Sequence, residues 1–325
     1  MMNNKIRIIK YVMLYSILIF LCLLSLEISF RIKGFYWKYE RESEIIMDDD
    51  IIGWVNRPGV YMLEGNQVTI LNDGSRIKHK AEGKRPIKVL LIGGSSVFGW
   101  RIPDHQTFAW ILEESMPNVS FSNYAVNGHS TFQSLLLLEK LLNKEPLPNF
   151  LIYGYEDLSD LRNVADLSWL KALTKSRQSL PFVTLDQSNQ LIRHAPYSYP
   201  LFPLMKFSAA IAFFQERYLR RNSQIRDSQA EFVTQKLILE MDRLCKERGI
   251  KFIFTFLDGT ENRKNYLRKF LAENDITFVD CVNSGYQARN SSMLLENDFH
   301  PNILVNSYWA DCLERYFRDN IKALK

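Results

Sequence analysis

The sequence predicts a doubly wound parallel α/β domain that follows one transmembrane helix. Three observations carry this prediction: a long uncharged apolar run near the N-terminus, five short strand-like apolar runs, and helix-length segments between those runs. The mean hydropathy of −0.18 excludes a multi-span membrane protein. The composition, with 46% hydrophobic and 24% charged residues, excludes a disordered or collagen-like chain.

The N-terminal apolar run extends from Tyr11 to Leu26 and resumes after Glu27 as far as Phe30. Twenty helical residues reach about 30 Å, which is enough to cross a hydrocarbon core. No small-residue cleavage site follows, which favours an uncleaved anchor over a signal peptide. A buried helix of a soluble domain is the remaining alternative.

Basic residues lie on both sides of the predicted anchor, which weakens the positive-inside signal. Those before it are Lys5, Arg7 and Lys10, and those after it include Arg31 and Lys33. We expect a short cytoplasmic tail (1–10), a transmembrane anchor (11–30) and the bulk of the chain outside the cytoplasm. The predicted protein is thus single-pass, in a bacterial inner or cytoplasmic membrane.

The charge and the cysteines of the sequence bear on nucleic-acid binding, disulfide pairing and metal binding. The formal net charge of +5 is spread thinly, so no nucleic-acid partner is predicted. Beyond the anchor lie only Cys245, Cys281 and Cys312, so at least one of them is unpaired. No Cys/His cluster has metal-ligand spacing, and neither a metal nor another cofactor is predicted.

Residues 31–84 are predicted to form a stalk and a small β lead-in. The segment 31 to about 50 is charged and mixed, and Gly53-Trp54 follows it. Next comes an alternating stretch, Gln67 to Leu71, and then Asn72-Asp73-Gly74, a typical hairpin turn signal.

Residues 85–325 are predicted to form the main domain. The expected strands are Ile87–Ile92, Val119–Val126, Phe150–Tyr153, Lys251–Phe256 and Ile276–Val279. The expected helices are Thr107–Met116, Thr131–Asn143, Asp227–Arg248, Glu261–Glu273 and Leu304–Ile321. The stretch at about 176–225 is rich in proline and aromatic residues, and we interpret it as an insertion that covers one end of the sheet.

The first turn of the sheet presents a serine. The strand from Ile87 ends in Gly93-Gly94-Ser95-Ser96, which fits neither a P-loop nor a dinucleotide fingerprint. A serine there has an exposed hydroxyl at a helix N-terminus, where developing negative charge is stabilised. A glycine- and serine-rich turn alone is more often only a turn.

The loop before the last helix supplies a base. A serine nucleophile needs a base within reach and a group that fixes the base's tautomer. His300, with Asp298 two residues before it, provides both. The alternative is a histidine that caps or packs against the last helix.

Together these segments resemble the SGNH/GDSL hydrolase superfamily, and more closely its membrane-anchored bacterial members. By that resemblance Ser95 is the nucleophile, His300 the base and Asp298 its orienting acid, and Asn123-Tyr124-Ala125-Val126-Asn127-Gly128 is the second block. The oxyanion is then bound at Ser95 and at the backbone N–H of Gly128. The resemblance also implies a three-layer α/β/α, flavodoxin-like sheet.

The third block departs from that pattern. Gly-x-Asn-Asp reads Gly154-Tyr155-Glu156-Asp157 here, so Glu156 takes the asparagine's place in the oxyanion site. An ionised Glu opposes a developing oxyanion, and loss of an oxyanion donor costs about 2.7–4 kcal/mol. The sequence leaves three alternatives open: Glu156 is protonated, it turns away, or Asn127 or Asn163 replaces it. On the pattern alone, Glu156→Asn is expected to hold or raise the rate.

The resemblance implies acyl-ester chemistry through an acyl-enzyme. The expected activity is that of an SGNH/GDSL-type esterase or O-acyltransferase, with an ester-bearing small molecule, lipid or cell-surface glycan as substrate. A membrane acyl-transfer partner belongs to the transferase alternative. The rival hypothesis is a catalytically weak or inactive SGNH-like module that binds a surface glycan or a partner protein.

Overall fold

The computed structural model describes residues 2–35, 44–79, 84–144, 146–176 and 178–320. Residues 36–43 of the predicted stalk, 80–83 of the predicted lead-in and the last five residues of the predicted main domain lie outside these ranges. The strands are β1 (Ile46–Asp49), β2 (Gly53–Asn56), β3 (Gly59–Leu63), β4 (Asn66–Ile70), β5 (Ile87–Gly93), β6 (Val119–Asn123), β7 (Phe150–Tyr155), β8 (Leu180–Leu185), β9 (Leu191–Tyr197), β10 (Lys251–Phe256) and β11 (Phe278–Asp280). The helices are α1 (Met2–Ile32), α2 (Ser95–Phe98), α3 (Phe108–Ser115), α4 (Thr131–Leu141), α5 (Ser159–Asn163), α6 (Leu167–Leu173), α7 (Ala209–Ser228), α8 (Ala230–Lys246), α9 (Glu261–Glu273), α10 (Ser284–Gln287) and α11 (Ile303–Asn320).

Five parallel strands form the central sheet in the order β11-β10-β7-β5-β6. Numbered along the chain, this is the flavodoxin-like order 2-1-3-4-5, and all five predicted strands are present. The chain reverses its winding direction at the neighbouring strands β5 and β7. Ligands of such sheets bind at the carboxyl ends of the strands at this switch point.

Both faces of the sheet are covered by helices, so the predicted three-layer α/β/α architecture is confirmed. On one face α4, α8 and α9 pack on side chains such as Ile92, Leu151 and Phe254. On the other face α3 and α11 pack on side chains such as Leu91 and Ile152. Strands buried on both faces explain the near-continuous apolar runs of the sequence.

Side-chain caps explain where the predicted helices begin. Thr107 accepts a hydrogen bond from Trp110 N at the start of α3. Ser130 and Gln133 form a reciprocal capping box at the start of α4. Thr260 accepts from Arg263 N at the start of α9. Each side chain satisfies an N–H that the helix itself leaves unpaired.

The lead-in contains a hairpin, but its turn lies before the predicted one. Strands β3 and β4 pair antiparallel around Glu64 and Gly65, which both have positive φ. Asn72-Asp73-Gly74 instead forms a separate turn, in which Gly74 N donates to Leu71 O. That turn leads the chain to Arg76, which bridges back to Ile70.

The segment predicted as an insertion folds into the antiparallel hairpin β8–β9 and most of α7. The β8 strand of this hairpin packs on α4, α5 and α8. The predicted long helix Asp227–Arg248 is also divided. Helix α7 ends at Ser228, and α8 begins at Ala230.

The N-terminal helix α1 is long and apolar enough, over Ile6–Ile32, to cross a membrane. A secretory signal sequence meets the same criterion. At the other end of the chain, Cys281 is bonded to Cys312, whereas Cys245 is buried and free. The expectation of at least one unpaired cysteine beyond the anchor is therefore confirmed.

Candidate active site

Ser95 lies at the first position of α2, directly after β5 and at the switch point of the sheet. Its carbonyl oxygen accepts the N–H groups of Gly99 and Trp100, at 3.0 and 3.1 Å. These bonds close the single helical turn of α2 that follows the strand. Ser95 is 3% exposed, so the expectation of an exposed hydroxyl is wrong: the turn holds this side chain in a buried position.

Glu156 reaches the start of α2 from the end of β7. Its Oε1 accepts the backbone N–H of Ser96 at 2.9 Å. Gly94 is the N-cap residue of α2 and has no side chain to accept that N–H. An N-cap side chain normally accepts from the second or third helical N–H, and Ser96 is the second. Glu156 thus supplies the missing cap from another strand.

Glu156 occupies space that a side chain at position 94 would need. A Cβ on Gly94 would lie 3.1 Å from Glu156 Oε1 and 3.3 Å from His129 O. A larger residue at position 94 therefore competes with Glu156 for the same volume. Gly94 stands where the SGNH/GDSL pattern often has an aspartate, and it leaves the space that Glu156 occupies.

His300 and Asp298 form a hydrogen-bonded pair. His300 Nδ1 lies 2.6 Å from Asp298 Oδ1, and Asp298 Oδ2 accepts from Arg101 at 2.8 Å. Burial by itself raises the pKa of Asp298, but the hydrogen bonds from His300 and Arg101 outweigh it and hold this pKa below its usual range. An ionised Asp298 orients the ring with Nδ1–H towards itself and leaves Nε2 free to accept a proton.

The turn that carries Ser95 also contacts the His300 loop. Trp100 donates its N–H to Ser95 O, and its ring centroid lies 6.2 Å from that of His300. The next residue, Arg101, holds Asp298. Two segments of the chain that are about 200 residues apart in sequence therefore meet here. Within the described residues Ser95 and His300 make no direct hydrogen bond.

Gly128 lies on the loop after β6 with a φ of +81°, a value that favours glycine. A Cβ there would lie 3.2 Å from the ring of Trp169 and 3.5 Å from that of Trp54. Trp54 fixes this loop by donating its indole N–H to Asn127 O at 3.0 Å. His129 Nε2 lies 2.9 Å from Trp54 O, and burial lowers the pKa of His129 to about 4. His129 is therefore a neutral packing residue.

The two replacement donors that the sequence suggested for Glu156 differ in the structure. Asn163 is fully buried, and its amide is used by Phe132 N and Thr234 Oγ1, so it cannot bind an oxyanion. Asn127 is half-buried, and its amide makes no hydrogen bond to another described residue. Of the two, Asn127 remains the candidate.

Arg162 is buried near the candidate site. Its guanidinium stacks on Trp169 at 4.1 Å, and its Nη1 is buried without a partner among the described residues. Burial lowers the pKa of Arg162, and the neighbouring carboxylate of Glu156 opposes that shift. No local sequence signal connects these residues.

Arg76 stabilises the turn after α2 through buried hydrogen bonds. It is 1% exposed and donates to the carbonyl oxygens of Phe98, Gly99 and Ile102, and also to Asp104. Burial lowers its pKa to about 10, and Asp104 opposes that shift. Two residues of the lead-in therefore stabilise the site. Trp54 fixes the loop that carries Gly128, and Arg76 fixes the turn that follows α2.

Asp157 follows Glu156 in the chain, and its pKa is raised. Its Oδ2 accepts the N–H of Thr260 at 2.8 Å, and its Oδ1 is buried without a partner among the described residues. Burial raises the pKa of Asp157 to about 6, with further raising by Asp160 and Asp258. Ionisation therefore opposes folding, because the folded pKa lies above the usual value of about 4 for an unfolded chain.

We expect Asp157→Asn to stabilise the protein at neutral pH. The penalty is absent below pH about 4, grows up to the folded pKa and is complete above it, and asparagine still accepts from Thr260. The free energy of unfolding should rise by about 1–3 kcal/mol at pH 7.5 and change little at pH 4. Thermal unfolding at both pH values measures this, with the exposed Asp48→Asn as control. Equal gains at both pH values would contradict the assignment.

No family model matches the chain, and no curated protein matches it. Solved structures do. One is a member of the lipolytic protein G-D-S-L family from Veillonella parvula, with 12% identity and a TM-score of 0.45 over 71% of this chain and 98% of that one. Another is a G-D-S-L family lipolytic protein from Desulfitobacterium hafniense, with 12% identity and a TM-score of 0.42 over 70% and 98%. The solved structures similar to this chain include GDSL/SGNH lipolytic proteins.

A third similar structure is an acetyl xylan esterase from Butyrivibrio proteoclasticus, with 10% identity and a TM-score of 0.40 over 74% of this chain and 66% of that one. The first two of these structures carry the G-D-S-L family description that the sequence motifs predicted. TM-scores below 0.5 carry no argument about activity.

Proposed function

We propose that the chain is a membrane-tethered, serine-dependent acyl-ester hydrolase or O-acyltransferase. One observation carries the proposal: the turn that begins with Ser95 contacts both His300 and Asp298, through Trp100 and Arg101. These contacts support Ser95 as the nucleophile, His300 as the base and Asp298 as the group that orients the base.

In the proposed reaction, Ser95 Oγ attacks the ester carbonyl carbon while His300 Nε2 takes its proton. The backbone N–H groups of Ser95 and Gly128 bind the oxyanion of the tetrahedral intermediate. His300 then protonates the leaving alcohol, and an acyl-enzyme remains. Water or an acceptor hydroxyl attacks that ester, with His300 again as base, and Ser95 is released. Hydrolysis and transfer differ only in this acceptor.

Three features support tethering with the α/β body outside the cytoplasm. Helix α1 is long and apolar enough to cross a membrane, and Arg7 and Lys10 precede its apolar run. The Cys281–Cys312 disulfide is typical of an oxidising compartment. The proposed substrate is accordingly an ester-bearing lipid, glycan or small molecule at the cell surface.

A fluorophosphonate probe tests the proposed function without knowledge of the substrate. The full chain, in detergent or membranes, is treated with the probe, and the adduct is located by peptide mass spectrometry. We expect one stoichiometric adduct on Ser95, which heat-denatured protein does not form. An unlabelled native protein would favour the rival hypothesis, a binding module, for which the replacement of the usual asparagine by Glu156 is the supporting observation.

A further inference from the structure

An exposed apolar surface lies between the β8–β9 hairpin and the middle of α7. We call Leu204, Phe207, Phe214 and Tyr218 the apolar patch; their exposed fractions are 64%, 76%, 59% and 59%. Leu204 and Phe207 share one turn, in which Phe207 N donates to Leu204 O. Phe214 and Tyr218 are one helical turn apart and lie on the same face of α7. Large apolar side chains grouped in this way mark an interaction site.

The apolar patch is continuous with the end of the N-terminal helix. Phe30 of α1 stacks on Phe213 with ring centroids 4.2 Å apart, and its ring lies 6.1 Å from that of Phe214. Arg31 donates to Phe207 O at 2.7 Å. The anchor is therefore packed on the same segment that carries the exposed side chains.

Glu27 sets the depth of this contact. Its carboxylate accepts from Ser208 Oγ, Ala209 N and Ala210 N, at 2.8, 2.9 and 3.1 Å, at the first turn of α7. A carboxylate avoids the hydrocarbon core, so Glu27 is expected at the boundary where the apolar run of α1 ends. The N-terminus of α7 then lies at the same level as the membrane surface.

Basic side chains flank the apolar patch, as they do on interfacial helices. Arg217 and Arg221 are exposed on α7, three residues after Phe214 and Tyr218 respectively. Lys33 is exposed just beyond the end of α1. Apolar side chains next to arginine and lysine suit the headgroup region of a bilayer that contains anionic lipids.

We propose that the apolar patch inserts into the headgroup region of the bilayer that α1 enters. This inference rests on the membrane anchor of the proposed function but not on its ester chemistry. The second contact fixes the orientation of the α/β body, because α1 and α7 are joined through Glu27 and Phe30. The occupant is the lipid surface itself.

Depth-dependent fluorescence quenching tests this contact in the full-length protein. Single cysteines are introduced in a Cys22→Ala background as Phe207→Cys, Phe214→Cys, Leu14→Cys or Tyr266→Cys, and are labelled with an environment-sensitive fluorophore. Cys245 is buried and Cys281–Cys312 is bonded, so neither competes for the label. The proteins are reconstituted into phosphatidylcholine–phosphatidylglycerol vesicles with or without doxyl-labelled lipid. Tyr266 is the matched control, because it is an exposed aromatic residue on α9.

We expect doxyl lipid to remove about half or more of the fluorescence at positions 207 and 214 and less than about a tenth at position 266. Strong quenching at position 14 shows that α1 has entered the bilayer. Labels at 207 and 214 no more quenched than at 266 would overturn the proposal, which is also the result expected if a protein covers the patch. An unquenched label at position 14 would overturn both the anchor and this contact. Ser95→Ala should leave every value unchanged, so failure of the ester chemistry is read separately.

Discussion

Replacement of Ser95 by alanine is expected to lower ester turnover by about a thousandfold or more. The Ser95 hydroxyl is the proposed attacking group, and alanine has no atom that can attack the ester carbonyl. The measurements are hydrolysis of p-nitrophenyl acetate and the rate of fluorophosphonate labelling. The melting temperature should stay near that of the wild type, because Ser95 Oγ takes part in none of the hydrogen bonds that build the turn.

Ser96→Ala is the matched control. Ser96 is 1% exposed, and the structure uses its backbone N–H, which alanine retains, as the donor to Glu156. We expect its rate to fall by less than about threefold. If Ser96→Ala were the inactive variant and Ser95→Ala the active one, the nucleophile would have been assigned one residue away from its true position.

The central sheet could be predicted because its strands are buried on both faces. Ile87–Gly93 and Lys251–Phe256 are nearly continuous apolar runs, and caps such as Ser130 and Thr260 mark where helices follow. Such signals lie within a few residues of the element that they define. The order of the strands follows from the few topologies that parallel sheets allow.

The elements that were missed have no such local signal. The hairpin turn at Glu64 requires a positive φ from a residue that rarely adopts it, so Asn72-Asp73-Gly74 was the more typical candidate. Helix α7 was not recognised because part of its apolar surface faces α1 and solvent, which removes the usual one-sided pattern. The break at Gln229 has no glycine or proline to announce it.

In the candidate site, too, contacts between sequence neighbours could be predicted and contacts between distant residues could not. Asp298 and His300 are two residues apart, and their pairing follows from local spacing. The contact of Arg101 with Asp298 joins residues 197 positions apart and could not be predicted from one sequence. The contact of Glu156 with Ser96 is likewise a contact between residues distant in sequence. The sequence showed that Glu156 replaces an asparagine, but not that it accepts the Ser96 N–H.

That contact changes the expectation for Glu156. Glu156→Asn removes a carboxyl group near the proposed oxyanion, but it also removes the only side chain among the described residues that caps α2, because Gly94 has none. Loss of an N-cap hydrogen bond costs about 0.5–2 kcal/mol, and a four-residue helix that carries the nucleophile has little else to hold it. We therefore expect the single variant Glu156→Asn to react about threefold to tenfold more slowly than the wild type.

Gly94→Asp alone is expected to be slower still. Its Cβ would lie 3.1 Å from Glu156 Oε1, so a second carboxylate would be forced against the first. The double variant Gly94→Asp/Glu156→Asn should recover the rate. The new aspartate can accept the Ser96 N–H from the N-cap position, and the asparagine offers an N–H donor to the oxyanion.

The double-mutant cycle measures this compensation directly. Labelling rates of the wild type, both single variants and the double variant should give a coupling free energy of about 1 kcal/mol or more, with the double variant faster than either single one. The melting temperature should follow the same order, because the cap also stabilises the turn. Additive losses, or a Glu156→Asn variant as fast as the wild type, would show that Glu156 does not position α2. In the second case the oxyanion reading from the sequence alone would be the better one: Glu156 would be an obstacle that asparagine relieves, and Gly94 would be an unrelated substitution.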